Sequence, residues 1–303
     1  MADIKVNRGR KLNLENAKLI GSGAASNVYM ISEDTVVKVL KNGDMADAER
    51  EILLSKWALK KGIPTAISYD VVDIDGHPGL VYESLGRGNL RNLLRDRPEE
   101  FDETMRRYAE LLHTINSVTV EEGQLPDAWE NYARALEGLR GTITEAEYAR
   151  MKALLDTIPR RNKLVHGDCQ MKNVRVVGKE FLLIDLDTLS CGDAIFELAG
   201  LYCCYKAYGE PVTEEFDSFF EMPVATERKV LDGVFELYFE GLSPEEIQKN
   251  ITKTALLSYM YMAYLGKKGE LKDGGAEAML RSFREYLPQA EDLKLKYADA
   301  DKG

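Results

Sequence analysis

Excess positive charge is the first thing missing. Forty Lys and Arg stand against 51 Asp and Glu, a net charge of −11 over 303 residues. No basic stripe of the kind that meets nucleic-acid phosphates is visible, which excludes a general nucleic-acid binder. The acidity is greatest in the last third, which suits a cationic small substrate and equally an ordinary solvated surface. Cysteine is scarce too. Cys169, Cys191, Cys203 and Cys204 form no Cys-x-x-Cys pair and have no histidine at metal-ligand spacing. That leaves no disulfide scaffold and points to a reducing compartment, with the adjacent Cys203 and Cys204 acting as small buried hydrophobes. The most apolar run, around 255–265, is too short for a membrane span and holds three tyrosines. The first eight residues have no apolar core of a signal peptide. Together these absences predict a cytoplasmic protein with no nucleic-acid or membrane partner. Internal repeats and low-complexity tracts are lacking as well. What is present, 45% hydrophobic and 30% charged residues, can bury a sizeable core in two domains or one two-lobed domain.

The first 85 residues read as strands around one helix. Short β-favouring runs at 17–21, 28–31 and 35–40 are separated by Gly21-Ser22-Gly23 and Ser32-Glu33-Asp34. A helix follows over 45–61, with Asp44 as N-cap, Ile52, Leu53 and Trp57 as its apolar stripe, and Gly62 and Pro64 as its stop. Two more strands are expected at 67–74 and 80–84, joined by Asp75-Gly76-His77-Pro78-Gly79. Gly86-Arg87-Gly88 marks a hinge. Beyond it the pattern turns helical, at 90–95, 103–116, 129–139 and 145–156. Residues 164–187 interrupt it with short apolar runs at 164–165, 174–177 and 181–184, and helical periodicity returns from Ile195.

Three constellations carry chemistry. In Gly21-Ser22-Gly23-Ala24-Ala25-Ser26 small residues allow backbone N–H groups to approach phosphates, although such a turn is also an ordinary hairpin. Lys38, inside the apolar strand Val36-Val37-Lys38-Val39, adds an ammonium that can hold the same anion. An isolated buried cation is costly, so a carboxylate partner is expected, with Glu49 and Glu51 on offer from the next helix. The second constellation is His166-Gly167-Asp168-Cys169-Gln170-Met171-Lys172-Asn173. Asp168 can orient and deprotonate an attacking hydroxyl, and the Asn173 amide oxygen can ligate Mg²⁺. The third is Phe181-Leu182-Leu183-Ile184-Asp185-Leu186-Asp187, a hydrophobic strand ending in carboxylates. Alone it reads as a solvated strand end; placed 12 residues after Asn173, Asp185 becomes the natural second Mg²⁺ ligand.

Together these residues, with Gly62-Ile63-Pro64, Leu112-His113 and Gly192-Asp193…Leu198-Ala199, resemble the aminoglycoside phosphotransferase and choline kinase family over most of the chain. The resemblance implies an α+β, protein-kinase-like two-lobed fold. A small antiparallel-sheet N-lobe (1–85) would bind nucleotide. A mostly helical C-lobe (86–303) would hold the catalytic loop (164–187) and the acceptor pocket. It implies Mg²⁺ as cofactor and ATP or GTP as co-substrate, with a small-molecule hydroxyl, aminoglycoside- or choline-like, as acceptor. The nucleotide would be held by Gly21, Ser22, Gly23 and Ser26, by Lys38 on the α/β-phosphates with Glu51 positioning it, and by the hinge segment 82–85, including Glu83 and Leu85. Asp168 would be the base, and Asn173 and Asp185 the metal ligands. Asp187 would touch a second metal or buttress the loop.

Four positions depart from the family pattern: Ser26 replaces a third glycine, Gln170 a His or Lys, Glu197 an Asp and Ala194 a Pro. A protein kinase is the rival of the same fold. Gly167 stands where many protein kinases have arginine, and 11 residues between Asp185 and Glu197 are too few for a peptide-cradling activation segment. A non-catalytic nucleotide-binding module is the rival of another class. The presence of Lys38, Asp168, Asn173 and Asp185 together argues for activity. The histidines are assigned no catalysis: His113 to a core, His77 to a solvated turn, and His166 to bracing the loop through its ring N–H. The stripe Tyr259, Met260, Tyr261, Met262 and Tyr264 reads mostly as core.

Overall fold

Alternating apolar residues in five short runs build an antiparallel sheet: β1 (Lys18–Ser22), β2 (Ser26–Ser32), β3 (Thr35–Leu40), β4 (Ser68–Ile74) and β5 (His77–Glu83), in the order β1-β2-β3-β5-β4. The structure is a computed structural model that describes residues 10–23, 26–86, 88–207, 220–271 and 274–298. Ala24, Ala25 and Arg87, of the expected hinge, lie outside the described residues. Strand β5 begins at His77, earlier than the sequence suggests, because Asp75 and Gly76 alone make the turn. Both take positive φ, 51° and 86°, the Asp-Gly hairpin geometry that matches strand twist. His77 therefore starts a strand.

Helix α1 (Met45–Lys60) lies on one face of this sheet. Asp44 caps it and forms a capping box with Asp47, and Gly62, at φ 84°, ends it. Ala48 and Ile52 pack on Leu40, Val71 and Leu80, while Val37, Val72, Ile74 and Val81 form the core of the opposite face. The expected stripe is displaced: Leu53 is exposed, and the buried face is Ala48, Glu51, Ile52, Ser55 and Ala58. Its small residues let the helix approach the strands closely.

The chain divides into two compact units. The first takes the described residues up to Leu90 together with Asn173–Asp187; the second takes Arg91–Lys172 and the residues from Thr188 onward. In the second unit α2 (Leu90–Asp96) leads from the boundary to α3 (Phe101–Ser117), α4 (Ala128–Gly138) and α5 (Glu145–Leu155). Strand β6 (Lys163–Val165) precedes the loop that carries Asp168. The hairpin β7 (Val174–Val177) and β8 (Glu180–Leu183) belongs to the first unit, where Leu183 exchanges backbone hydrogen bonds with Pro64 (2.8 Å) and Ala66 (3.3 Å). Strand β9 (Ser190–Gly192), unanticipated in the sequence, pairs antiparallel with β6 in the second unit. Helix α6 (Ala194–Tyr202) then passes into a π-helical turn at Cys203–Ala207, followed by α7 (Val224–Tyr238), α8 (Pro244–Lys267) and α9 (Gly275–Tyr286). His113 is stacked on Tyr238 at 4.1 Å, and Tyr259, Met260 and Met262 are buried, as core residues. Among the described residues no helix is long and apolar enough to cross a membrane.

Candidate functional site

Strand alternation explains how the first unit assembles its charged cluster. On β3, Lys38 and Leu40 share a face, the one α1 covers; on β5, Leu80 lies opposite Lys38, and Tyr82 follows two residues on. Glu51 points down from α1 onto that same face. The Lys38 ammonium donates to both Glu51 oxygens, at 3.0 and 3.1 Å, and to Asp185 Oδ1 at 2.6 Å. The Tyr82 hydroxyl donates to Glu51 Oε1 at 2.6 Å. Burial alone would lower the Lys38 pKa, but Glu51 and Asp185 more than offset it and the net shift is upward. Of the two expected carboxylate partners the structure selects Glu51 and adds Asp185.

Asp185 arrives on the β7–β8 hairpin. Asn173 immediately precedes β7, Asp185 follows β8, and Ile184 N–H donates to the Asn173 carbonyl at 3.0 Å, so both residues sit at one open end of the hairpin. Asp185 takes φ 66°, a left-handed conformation rare outside glycine and concentrated at functional sites. Its side chain stays 43% exposed, against 14% for Lys38 and 10% for Glu51.

A cavity of about 280 Å³ opens beside this cluster. Gly21, Ser26, Lys38, Glu51, Glu83, Leu85 and Asp185 all line it. Ser22 and Gly23 are not in its wall: Ser22 Oγ donates to Asn27 Oδ1 at 2.9 Å, and the Gly23 carbonyl accepts from Lys41 Nζ at 2.5 Å. Asn173 is buried beside the cavity's residues without lining it. Thr65, Ala66 and Arg175 also line it and escaped the sequence reading, while Tyr82, expected only within the hinge segment, adds its hydroxyl to the cluster. Arg175 carries the same signal as Lys38, a cation inside a valine-rich strand. It donates to the Gly86 carbonyl, and desolvation lowers its pKa.

In the second unit the loop that carries Asp168 is gripped along its backbone. Glu197, fully buried on α6, accepts from His166 N–H at 2.5 Å and Gly167 N–H at 3.2 Å. Burial pushes its pKa up to about 7, against the opposing pull of those two donors. Further along, Tyr108 donates to the Cys169 carbonyl, Met171 N–H donates to the Tyr205 hydroxyl at 2.8 Å, and the two tyrosine hydroxyls meet at 3.2 Å. Tyr205 belongs to the π-helical turn, as does Cys204, whose Sγ lies 3.9 Å from Asp168 Oδ1. His166 braces the loop in the reverse sense to that expected: its Nδ1 accepts from Asp168 N–H at 3.3 Å. Burial pushes the Cys203 thiol up to about 12, so it stays protonated.

A structural comparison finds the same fold in several solved structures. The ADP-bound aminoglycoside phosphotransferase APH(2'')-Ib is 16% identical, with 90% of this chain and 92% of that one covered at a TM-score of 0.57. The GDP and kanamycin complex of a further APH(2'') enzyme is 12% identical, with 91% and 94% covered and a TM-score of 0.58. A choline/ethanolamine kinase family protein from Mesorhizobium loti is 13% identical, with 91% and 89% covered and a TM-score of 0.56. At such identities the likeness shows the fold, the α+β, kinase-like one with an antiparallel sheet and a helical unit. A sequence search of the curated proteins finds no match. The model of the phosphotransferase enzyme family, APH, matches residues 16–222, more than half of the chain. On that match the chain belongs to the phosphotransferase enzyme family.

Proposed function

We propose that this protein is a Mg²⁺-dependent small-molecule kinase that moves the γ-phosphoryl group of ATP or GTP to a hydroxyl of an aminoglycoside- or choline-like acceptor. The observation that carries the reading is the paired cation. Lys38, held by Glu51, which Tyr82 also bonds, reaches a cavity wall shared with Gly21, Ser26 and Asp185. An ammonium so oriented suits the α/β-phosphates, and Glu51 keeps its direction when the phosphates take the place of Asp185. The Asp185 carboxylate already accepts from a cation, the Lys38 ammonium, at 2.6 Å. Asn173 and Asp185 offer one neutral and one anionic oxygen, a set that fits Mg²⁺, which fills its other positions with phosphate and water. When bound, Mg²⁺ neutralises charge on the transferring phosphoryl oxygens.

Asp168 orients the acceptor hydroxyl and finally accepts its proton. The transition state is loose, so alignment supplies most of the acceleration and the base a smaller part. The grip of Glu197, Tyr108 and Tyr205 on the loop backbone is what holds Asp168 in position. The similar structures, a kanamycin complex and a choline/ethanolamine kinase family protein among them, support an amine-bearing alcohol as acceptor, and the acidic last third suits its charge.

Thermal melting with nucleotide, beside steady-state turnover, tests the proposal. Nucleotide with Mg²⁺ at 100 times its Kd should stabilise the wild type by about 2.7 kcal/mol. Lys38→Ala should abolish that gain. Asp168→Asn should keep it while turnover falls by about 10²- to 10⁴-fold. Melting curves unmoved by either ATP or GTP would sink the reading.

A further inference from the structure

The hairpin that presents Asn173 also presents a cation to the nucleotide cavity, and the kinase reading leaves it unused. Side chains two residues apart on a strand share a face. Asn173 and Arg175 therefore point the same way, with Leu182, the cross-strand partner of Arg175, and with Ile184. Arg175 and Ile184 both line the cavity. Arg175 sits at its hinge end: the guanidinium donates to the Gly86 carbonyl, Arg175 bridges Asn89, and Val176 N–H donates to the Gly88 carbonyl at 3.1 Å. Lys38 and Asp185 occupy the other end. Among the described residues no carboxylate pairs with Arg175. Other polar groups of the wall are committed, the Tyr82 hydroxyl to Glu51 and the Thr65 hydroxyl to the Leu183 carbonyl at 2.8 Å.

We propose that Arg175 reads the nucleotide base and selects guanine over adenine. The inference rests on the nucleotide-binding reading of this cavity and adds the base to it. With phosphates at the Lys38 end, the base lies at the hinge end, against Arg175. A guanidinium offers five donors and no acceptor, and one carbonyl uses only part of that capacity. Guanine presents two acceptors on one edge, O6 and N7, which match the fork. Adenine places an amino donor where O6 would be, so donor faces donor. The half-buried setting strengthens both the match and the mismatch.

Calorimetric titration with Mg²⁺ and GDP, IDP or ADP tests this. Hypoxanthine keeps O6 and N7 but lacks the 2-amino group, so IDP isolates the edge that Arg175 would read. The wild type should bind GDP and IDP alike and ADP more weakly by about tenfold or more. Arg175→Leu should weaken GDP and IDP by roughly 10- to 100-fold and ADP by less than about threefold. Arg175→Lys, which keeps charge without the fork, should retain affinity for all three but lose most of the discrimination, and it serves if the Leu variant does not fold. Equal losses for all three nucleotides, an unchanged GDP-to-ADP ratio, or a wild-type preference for ADP would overturn the inference and leave the kinase reading standing. A wild type that binds none of the three overturns both.

Discussion

Glu197 is fully buried with two backbone donors on its carboxylate, and its protonation is therefore tied to folding. Unfolded, it titrates near the ordinary 4.5; folded, burial raises it to about 7. The native state thus binds the proton more tightly. The stability this contributes is fully present below pH 4.5 and is lost as pH rises through 7, a loss of roughly 3 kcal/mol. Glu197→Gln, neutral throughout, should lack that loss. Urea unfolding at pH 4.5, 6 and 7.5 measures it, as the difference between the wild-type and variant slopes. Parallel slopes would show that the carboxylate titrates near its unfolded value. That Lys38 would pair with a carboxylate of the next helix was legible in the sequence, because a cation in an apolar strand is a local signal. The bond from the Tyr82 hydroxyl to Glu51 was not, since it depends on the register of β3 against β5.

Helix α6 touches the Asp168 loop through a glycine. A methyl group at Gly200 would lie 2.7 Å from the Gly167 carbonyl oxygen, which is backbone and cannot swing aside. Gly167 itself holds φ 82°, so the loop has little freedom to re-form elsewhere. Gly200→Ala gains helix propensity but displaces the segment that ends in Asp168. We expect turnover to fall roughly 10- to 100-fold, since about 1 Å of misplacement has that effect. Nucleotide affinity should change little, because every cavity-lining residue belongs to the other unit. Steady-state kinetics beside calorimetry decides it; unchanged turnover would show that the loop accommodates the methyl. Most elements of the chain were readable from periodicity and caps, including α1 and the β7–β8 pair. The π-helical turn was not, because Cys-Cys-Tyr-Lys-Ala has the same local preferences with or without an extra residue in the turn. Strand β9 was missed for a related reason: Ser190, Cys191 and Gly192 extend only because β6 is there to pair with them.

Across the whole molecule the proposed roles divide between the two units, the charged cluster and cavity in one and the Asp168 loop in the other. The three charges of the cluster come from positions 38, 51 and 185, and no local pattern reveals that one ammonium serves both carboxylates. That sharing has a consequence for how ligands arrive. A phosphate that takes the ammonium leaves Asp185 uncompensated, and a divalent cation on Asp185 frees the ammonium for phosphate. If nucleotide and metal bind here as proposed, each removes the obstacle to the other, and their affinities should be enhanced by one common factor, in the usual range of about 5- to 150-fold. Calorimetric titration of each ligand with and without the other, corrected for the metal–nucleotide complex in solution, measures both arms. Asp185→Asn should bring the factor close to one. On the proposed function, the resting salt bridge would make occupancy respond to the product of two concentrations, rising steeply where both ligands are abundant and staying lower on either alone.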